Sequence, residues 1–353
     1  MIVACRAFTR SGAEVKRRIE TGLSGKHQIE QSKIESLSQW TRYYMEKKMP
    51  KEGKNALVFI GATGIAVRCI APYVRDKYTD PAVVVVDDMG KYVIPILSGH
   101  IGGANELAGE IADIIGAEAV ITTATDLHGL FAVDEFARKN GLFITSREGA
   151  KQISSALLEG KTVGLSCKRG QIQGVVPEGL HVPPERGDAG RIFLSAFLPD
   201  DVDEADDAGT DGAADKRMLH LVPKSLVVGM GCRRGVSEDK LETFLLETLH
   251  KNRLCPQAVA AIASLDLKKE ETGLNLLAQK LRIPFFTFTK EELNRVTGEF
   301  HSSAYVEKMT GVDNVCERSA VLASEGGTLL VPKTIGDKMT LAVAEKEWSV
   351  YFE

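Results

Sequence analysis

The chain has 353 residues, 44% of them hydrophobic, enough to build two or three domains with cores of their own. Its formal net charge is −4, but eight acidic residues and no Lys or Arg fall between Asp200 and Asp215, so the remainder carries +4 and tolerates an anionic ligand. Basic and aromatic residues do not cluster, which argues against nucleic acid, and no apolar run reaches membrane-spanning length, so neither is expected as a partner.

In chain order, Met1–Arg6 reads as the start of a strand, without the basic-then-apolar layout of a signal peptide, which fits a cytoplasmic protein. Strands at Ile2–Phe8, Ala56–Ile60, Ala82–Val86 and Ala119–Ile121 alternate with helices at Ser11–Thr21, Ile34–Lys47, Ile65–Val74 and Ala104–Ile115. That alternation predicts a Rossmann-like parallel sheet covered on both faces over residues 1–134, with its glycine turns at the carboxyl ends of strands. A middle α/β region, 135–218, carries a helix at Glu148–Leu158 and a strand at Thr162–Ser166. It ends in the acidic stretch, which reads as a linker because it combines low hydrophobicity with one sign of charge. A separate compact α/β domain is expected over 219–353. Its strands are Ser225–Gly229, Val259–Ser264, Phe285–Phe288, Thr328–Val331 and Thr340–Ala344, and its helices Ser237–His250, Glu270–Leu281 and Cys316–Ala323.

The densest chemistry lies in Leu97-Ser98-Gly99-His100-Ile101-Gly102-Gly103-Ala104-Asn105-Glu106, which sets a histidine, three glycines, an amide and a carboxylate at the mouth of one helix. Glycines this close together mark a sharp turn or a close backbone approach. The free N–H groups of the helix start suit an anion or an oxyanion, and His100 can serve as acid or base near neutral pH. The same string also serves as a plain strand-to-helix link. No Gly-x-Gly-x-x-Gly, Walker loop, Gly-x-Ser-x-Gly elbow or Ser-His-Asp order accompanies it, which disfavours nucleotide binding and a covalent nucleophile. The six cysteines form no Cys-x-x-Cys, so neither a protein-bound metal nor a disulfide framework is expected. Cys232, beside Arg233 and Arg234, is the one thiol whose setting favours a lowered pKa. The other histidines, His27, His128, His181, His220, His250 and His301, read as standing alone.

Three further strings extend the pattern: Leu57-Val58-Phe59-Ile60-Gly61-Ala62-Thr63-Gly64-Ile65-Ala66-Val67-Arg68, then Lys77 to Asp88 with its valine run, then Val120-Ile121-Thr122-Thr123-Ala124-Thr125-Asp126. Together with the His100 string they resemble the CbiG family of cobalamin (vitamin B12) biosynthesis, the cobalt-precorrin-5A hydrolases, nearly continuously from Leu57 to Asp126. Val228-Gly229-Met230-Gly231-Cys232-Arg233-Arg234-Gly235 and Gly311 to Glu317 are similar to the CobE/CbiG C-terminal domain, while Glu135 to Met218 resembles the family only loosely.

The resemblance implies a cobalt-bearing tetrapyrrole substrate, a corrinoid ringed with carboxylates and carrying a lactone. Water opens the lactone and a two-carbon piece leaves as acetaldehyde. It implies no cofactor, since the substrate carries the cobalt, and transient contact with neighbouring pathway enzymes. In this frame His100 is the expected acid/base, Glu106 or Asp88 its carboxylate partner, and the N–H groups of Gly102, Gly103 and Ala104 the oxyanion cradle. Substrate contacts are assigned to Gly61, Thr63, Gly64, Arg68, Ser98, Gly99, Asn105, Thr122, Thr123 and Asp126. Arg233 and Arg234 clamp ring carboxylates, with Lys268, Glu271, Glu317 and Lys333 as further polar residues near the predicted turns. The macrocycle is expected between the first and third blocks. Plainer roles compete: Asp87 and Asp88 terminate a strand, Glu106 complements a helix dipole, and Arg68 is solvated. A non-catalytic corrinoid carrier is the second functional reading; it could lose His100 at little cost, and an enzyme could not.

Overall fold

The computed structural model describes residues 1–47, 54–76, 78–123, 130–199 and 217–352. Asp126, His128 and the acidic stretch lie outside them. The chain forms two compact units, Met1–Glu135 and Phe136–Glu353.

In the first unit six strands lie in the order β2-β1-β3-β4-β5-β6. They are β1 (Ile2–Ala7), β2 (Gln28–Ile29), β3 (Asn55–Ile60), β4 (Ala82–Val86), β5 (Tyr92–Leu97) and β6 (Glu118–Ala119). Alternate residues of β3 and β4 point to opposite faces. Ala56, Val58, Ile60, Val84 and Val86 bury against α1 (Arg10–Leu23) and α4 (Ala104–Ile115), while Leu57, Phe59, Val83 and Val85 bury against α2 (Leu37–Glu46) and α3 (Thr63–Ile70). Burial on both faces is why these strands read as continuous apolar runs.

The sheet is not all-parallel. β1 to β4 are parallel, but β5 is antiparallel to β4, with Val86 opposite Val93 and Val83 opposite Leu97, and β6 follows β5. β5 contains Pro95, which cannot donate to a ladder; it sits where the register shifts, with Val84 opposite Pro95 and Ile96 bulged out. The β4–β5 turn is held by Asp87, whose carboxylate accepts N–H bonds from Met89 (3.0 Å), Lys91 (2.6 Å) and Tyr92 (2.6 Å).

The second unit begins inside α5 (Val133–Lys139) and contains two five-stranded sheets. The first runs β10-β8-β11-β12-β7, from β7 (Phe143–Ile144), β8 (Val163–Cys167), β10 (Leu180–His181), β11 (Gly190–Leu194) and β12 (Arg217–Val222), with α6 (Arg147–Leu158) packed on it. β12 crosses residue 218 and lies between β11 and β7.

The second sheet runs β15-β14-β13-β17-β16, from β13 (Leu226–Cys232), β14 (Val259–Leu265), β15 (Phe285–Phe288), β16 (Thr328–Gly336) and β17 (Met339–Glu345). Helices α7 (Glu238–Lys251) and α8 (Thr272–Leu281) pack together; α9 (Lys290–Arg295), α10 (Ala304–Thr310) and α11 (Val315–Ala323) follow β15. A Cβ on Gly229 would stand 1.8 Å from the Cys316 carbonyl, so α11 lies against β13 at a distance only glycine permits. A two-stranded sheet completes the second unit. β18 (Ser349–Tyr351) pairs in parallel with β9 (Gln171–Gln173), and Arg169 Nε meets the buried Glu345 carboxylate at 2.6 Å. No helix among the described residues is long and apolar enough to cross a membrane.

Candidate functional site

Because β5 runs backwards, the His100 loop sits at the amino end of β4. A Cβ on Gly102 would lie 3.3 Å from Ala82 N and only 2.3 Å from Ser98 Cβ, so the loop packs as tightly as glycine allows. Ser98 and Gly103 take left-handed conformations, φ 55° and 83°, which turn the chain into α4. The loop satisfies its own backbone: Gly103 N–H donates to His100 O (3.1 Å), Ala104 N–H to Ser98 O (3.2 Å) and Asn105 N–H to Gly99 O (3.1 Å). This corrects the expected cradle. Gly103 and Ala104 spend their N–H groups inside the loop, and of the three only Gly102 keeps its own without an acceptor among the described residues.

Around the loop stand Lys54, which donates to the Ile101 carbonyl, and Thr123, whose Oγ1 accepts from Asn105 Nδ2 at 3.1 Å. Ser98 Oγ is buried with no hydrogen-bond partner among the described residues. The carboxylate facing His100 is Glu135, from the first turn of α5: Oε2 lies 3.5 Å from Nδ1, with side-chain exposures of 16% for His100 and 28% for Glu135. Glu106 is exposed on the first turn of α4, and Thr122 is exposed beside Thr123.

The other residues assigned to this site are at the far end of the sheet. Gly61, Thr63, Gly64, Asp87 and Asp88 all follow the carboxyl ends of β3 and β4. The five residues of β4, at about 3.3 Å each, put about 17 Å between the two ends. Asp88 therefore does not partner His100. It accepts from Thr9 Oγ1, the N-cap of α1, and its backbone carbonyl accepts from Ser11 Oγ at 3.1 Å. Burial pushes the Asp87 carboxyl up, but its three backbone donors outweigh that and hold it below the usual range. Gly61 (φ 151°) is required because a Cβ there would meet the Phe8 ring at 2.7 Å. Arg68 is exposed and makes no bond among the described residues.

In the second unit, Arg234 borders an open cleft of about 720 Å³ whose walls include the first turns of α7 and α8. Neither N-cap, Ser237 nor Glu271, bonds its own helix through its side chain, and four carboxylates, Glu238, Asp239, Glu270 and Glu271, line the cleft beside Arg234. Glu271 instead accepts from Gly235 N–H (2.7 Å) and Lys268 Nζ (3.0 Å). Arg233 is exposed and does not line the cleft. Burial pushes the Cys232 thiol up to about 11, opposite to the expected lowering, because desolvation outweighs the nearby Lys268 ammonium. Among the described residues, Glu238, Asp239 and Glu242 have oxygens close enough to share a cation, but Lys280 Nζ already fills that role at 2.8 Å from Glu238 and 2.6 Å from Glu242.

Residues 48–126, 131–192 and 226–344 match the families described as cobalamin synthesis G N-terminal, cobalamin biosynthesis central region and cobalamin synthesis G C-terminus. The chain is 40% identical to a cobalt-precorrin-5A hydrolase of Salmonella typhimurium over 302 residues, 82% of each chain. It is 35% identical to that of Priestia megaterium over 298 residues, 83% of this chain and 79% of the other. The chain belongs to the CbiG family. A crystal structure of a cobalamin biosynthesis protein G homologue from Sulfolobus solfataricus aligns over 98% of this chain at 23% identity, with a TM-score of 0.40.

Two kinds of pairing in this CbiG chain are not evident from its sequence. Glu135 carries no expected role there, although Asp134-Glu135 before an apolar helix is a helix-start signal that places a carboxylate on a first turn. Three histidines that read as solitary in fact meet carboxylates: His27 with Glu110 (2.7 Å), His181 with Asp188 (2.7 Å) and His301 with Glu317 (2.8 Å). His220 is buried, and burial lowers its pKa despite its bond to Ser195 O.

Proposed function

We propose that this CbiG protein is a cobalt-precorrin-5A hydrolase of the cytoplasm, adding water across the lactone of a cobalt corrinoid and releasing acetaldehyde. The observation that carries this reading is the 40% identity to the Salmonella hydrolase, spread over 82% of both chains rather than over one domain.

The chemistry asks for an activated water, a stabilised acyl oxyanion and a path for protons. His100, with Glu135 beside its Nδ1, supports the first and third as acid and base. The carboxylate also stabilises the imidazolium formed in that step. Lys54 and the Gly102 N–H are the cationic and neutral donors beside the loop for the second. Arg234 remains a proposed counterpart for an anionic group. Gly61, Thr63, Gly64 and Arg68 remain proposed contacts at the opposite end of the first sheet. The protein's own residues supply all of this, and the cobalt arrives with the substrate.

The test is anaerobic acetaldehyde release from cobalt-precorrin-5A by the wild type and by His100→Ala. Release by the wild type and about 100-fold less or lower by the variant supports both the activity and the base. Equal release keeps the activity and removes the base. Tight corrinoid binding with no release by either makes the protein a carrier.

A further inference from the structure

Glu317 is fully buried at the start of α11, and four donors occupy its two oxygens. Oε1 accepts from His301 Nδ1 (2.8 Å) and Lys333 N–H (2.6 Å); Oε2 accepts from His301 N–H (2.8 Å) and Asn314 Nδ2. The carboxylate cannot swing, and it fixes the imidazole it touches. A carboxylate only accepts, so Nδ1 carries a proton, and the neutral ring then presents its lone pair at Nε2. The His301 side chain is 68% exposed, and Nε2 has no partner among the described residues. Three backbone and amide donors already satisfy Glu317, so the tie to the exposed ring adds orientation rather than burial.

This is the arrangement by which a histidine is prepared to bind a metal, with a carboxylate fixing the tautomer and raising the basicity of the other nitrogen. Among the described residues, no hydroxyl or thiol bonds to Nε2 for it to deprotonate, which sets it apart from a nucleophile–base pair. Its surroundings suit a broad, partly apolar ligand. Ile335, two residues along β16 from Lys333, is 75% exposed, and Tyr305, at the start of α10, is 68% exposed. The first turn of α11 lies against the middle of β13, where the Cys316 carbonyl meets Gly229.

We propose that His301 Nε2 is an axial ligand to the cobalt of the bound corrinoid, held in place by Glu317. The proposal rests on the corrinoid reading of the preceding section.

Electron paramagnetic resonance of the whole protein loaded with cob(II)inamide, a corrinoid without an axial base of its own, tests it. The expected spectrum shows each cobalt line split into a triplet by one ¹⁴N, becoming a doublet when the protein is labelled with ¹⁵N-histidine. His301→Ala should bind about tenfold more weakly and show no splitting. Its ring is exposed, so the fold is expected to survive. An unsplit wild-type spectrum, splitting that persists in His301→Ala, or failure to retain the corrinoid overturns the assignment. Acetaldehyde release from cobalt-precorrin-5A by the same preparation separates the two readings: release with an unsplit spectrum defeats only the ligand, and splitting without release defeats only the hydrolase.

Discussion

Glu135 reaches His100 from the first turn of α5 and sets a carboxylate oxygen 3.5 Å from Nδ1. That separation is long for a hydrogen bond but ordinary for a catalytic pair that tightens around its substrate. Losing an oriented acid/base costs about 10²–10⁴ in rate. His100→Ala should therefore lower acetaldehyde release at least about 100-fold, and Glu135→Gln about tenfold through mispositioning of the ring. Asp88→Asn, at the far end of β4, should stay within about twofold of wild type. A larger loss for Asp88→Asn than for Glu135→Gln would contradict the geometry.

Gly229 makes a structural prediction of a different kind. An added methyl would need the Cys316 carbonyl, 1.8 Å away, to move, and backbone in the first turn of α11 cannot yield as a side chain could. Overpacking typically costs about 1–3 kcal/mol, and a backbone clash belongs at the top of that range. Gly229→Ala should unfold at a clearly lower temperature in a thermal melt or fail to accumulate as folded protein. Gly64→Ala, with nothing within 4 Å, should leave the melt of the folded protein almost unchanged.

The Cys232 and Cys316 thiols should be inert at neutral pH. Burial pushes both Cys232 and Cys316 up to about 11, so the nucleophilic thiolate is scarce at about pH 7.5. Iodoacetamide labelling followed by peptide mass spectrometry should find both nearly unmodified under native conditions and fully modified in denaturant. Cys232→Ser should keep wild-type turnover; a loss of more than about tenfold would return this cysteine to the mechanism.

Asp87 ties stability to pH. Its carboxyl is held below its ordinary value in the folded protein, so its contribution is fully present above the unfolded value, near 3.8, and is lost as pH falls through the lower folded value. Asp87→Asn should cost about 1 kcal/mol at neutral pH, from weakened bonds to a charged acceptor. Denaturant titrations should show that gap closing as the pH drops below about 4. A gap that grew on acidification would reverse the sign of this linkage.

Much of the architecture is legible in the chain because the physics is local. Ala104–Ile115 and Ala82–Val86 can be read to the residue, since one has a clean apolar face and ends before Gly116, and the other is apolar on both faces. For the site, the sequence points to the His100 loop but misplaces Asp88 beside it. Pro95 disguises β5 as a loop, and without β5 the His100 turn falls at the same end of the sheet as Gly61. Strand direction is a tertiary property, although Asp87-Asp88-Met89-Gly90, with Gly90 at φ 67°, is a readable hairpin signal between the valine run and Tyr92-Val93-Ile94. The ties from Glu135 to His100 and from Glu317 to His301 bridge 35 and 16 residues. Nothing in residue type or spacing announces such pairs.

The strand pairing of the second unit makes it separable in an unexpected way. A break anywhere within residues 200–216 leaves β12 on the far piece, although it belongs between β11 and β7, and leaves β9 without β18. Each piece would then carry exposed ladder edges shaped for the other, together with the Arg169–Glu345 pair to lock them. Co-expressed halves should find one another and rebuild the interrupted sheet, so this chain has the makings of a split reporter whose reassembly is encoded in its own β-register.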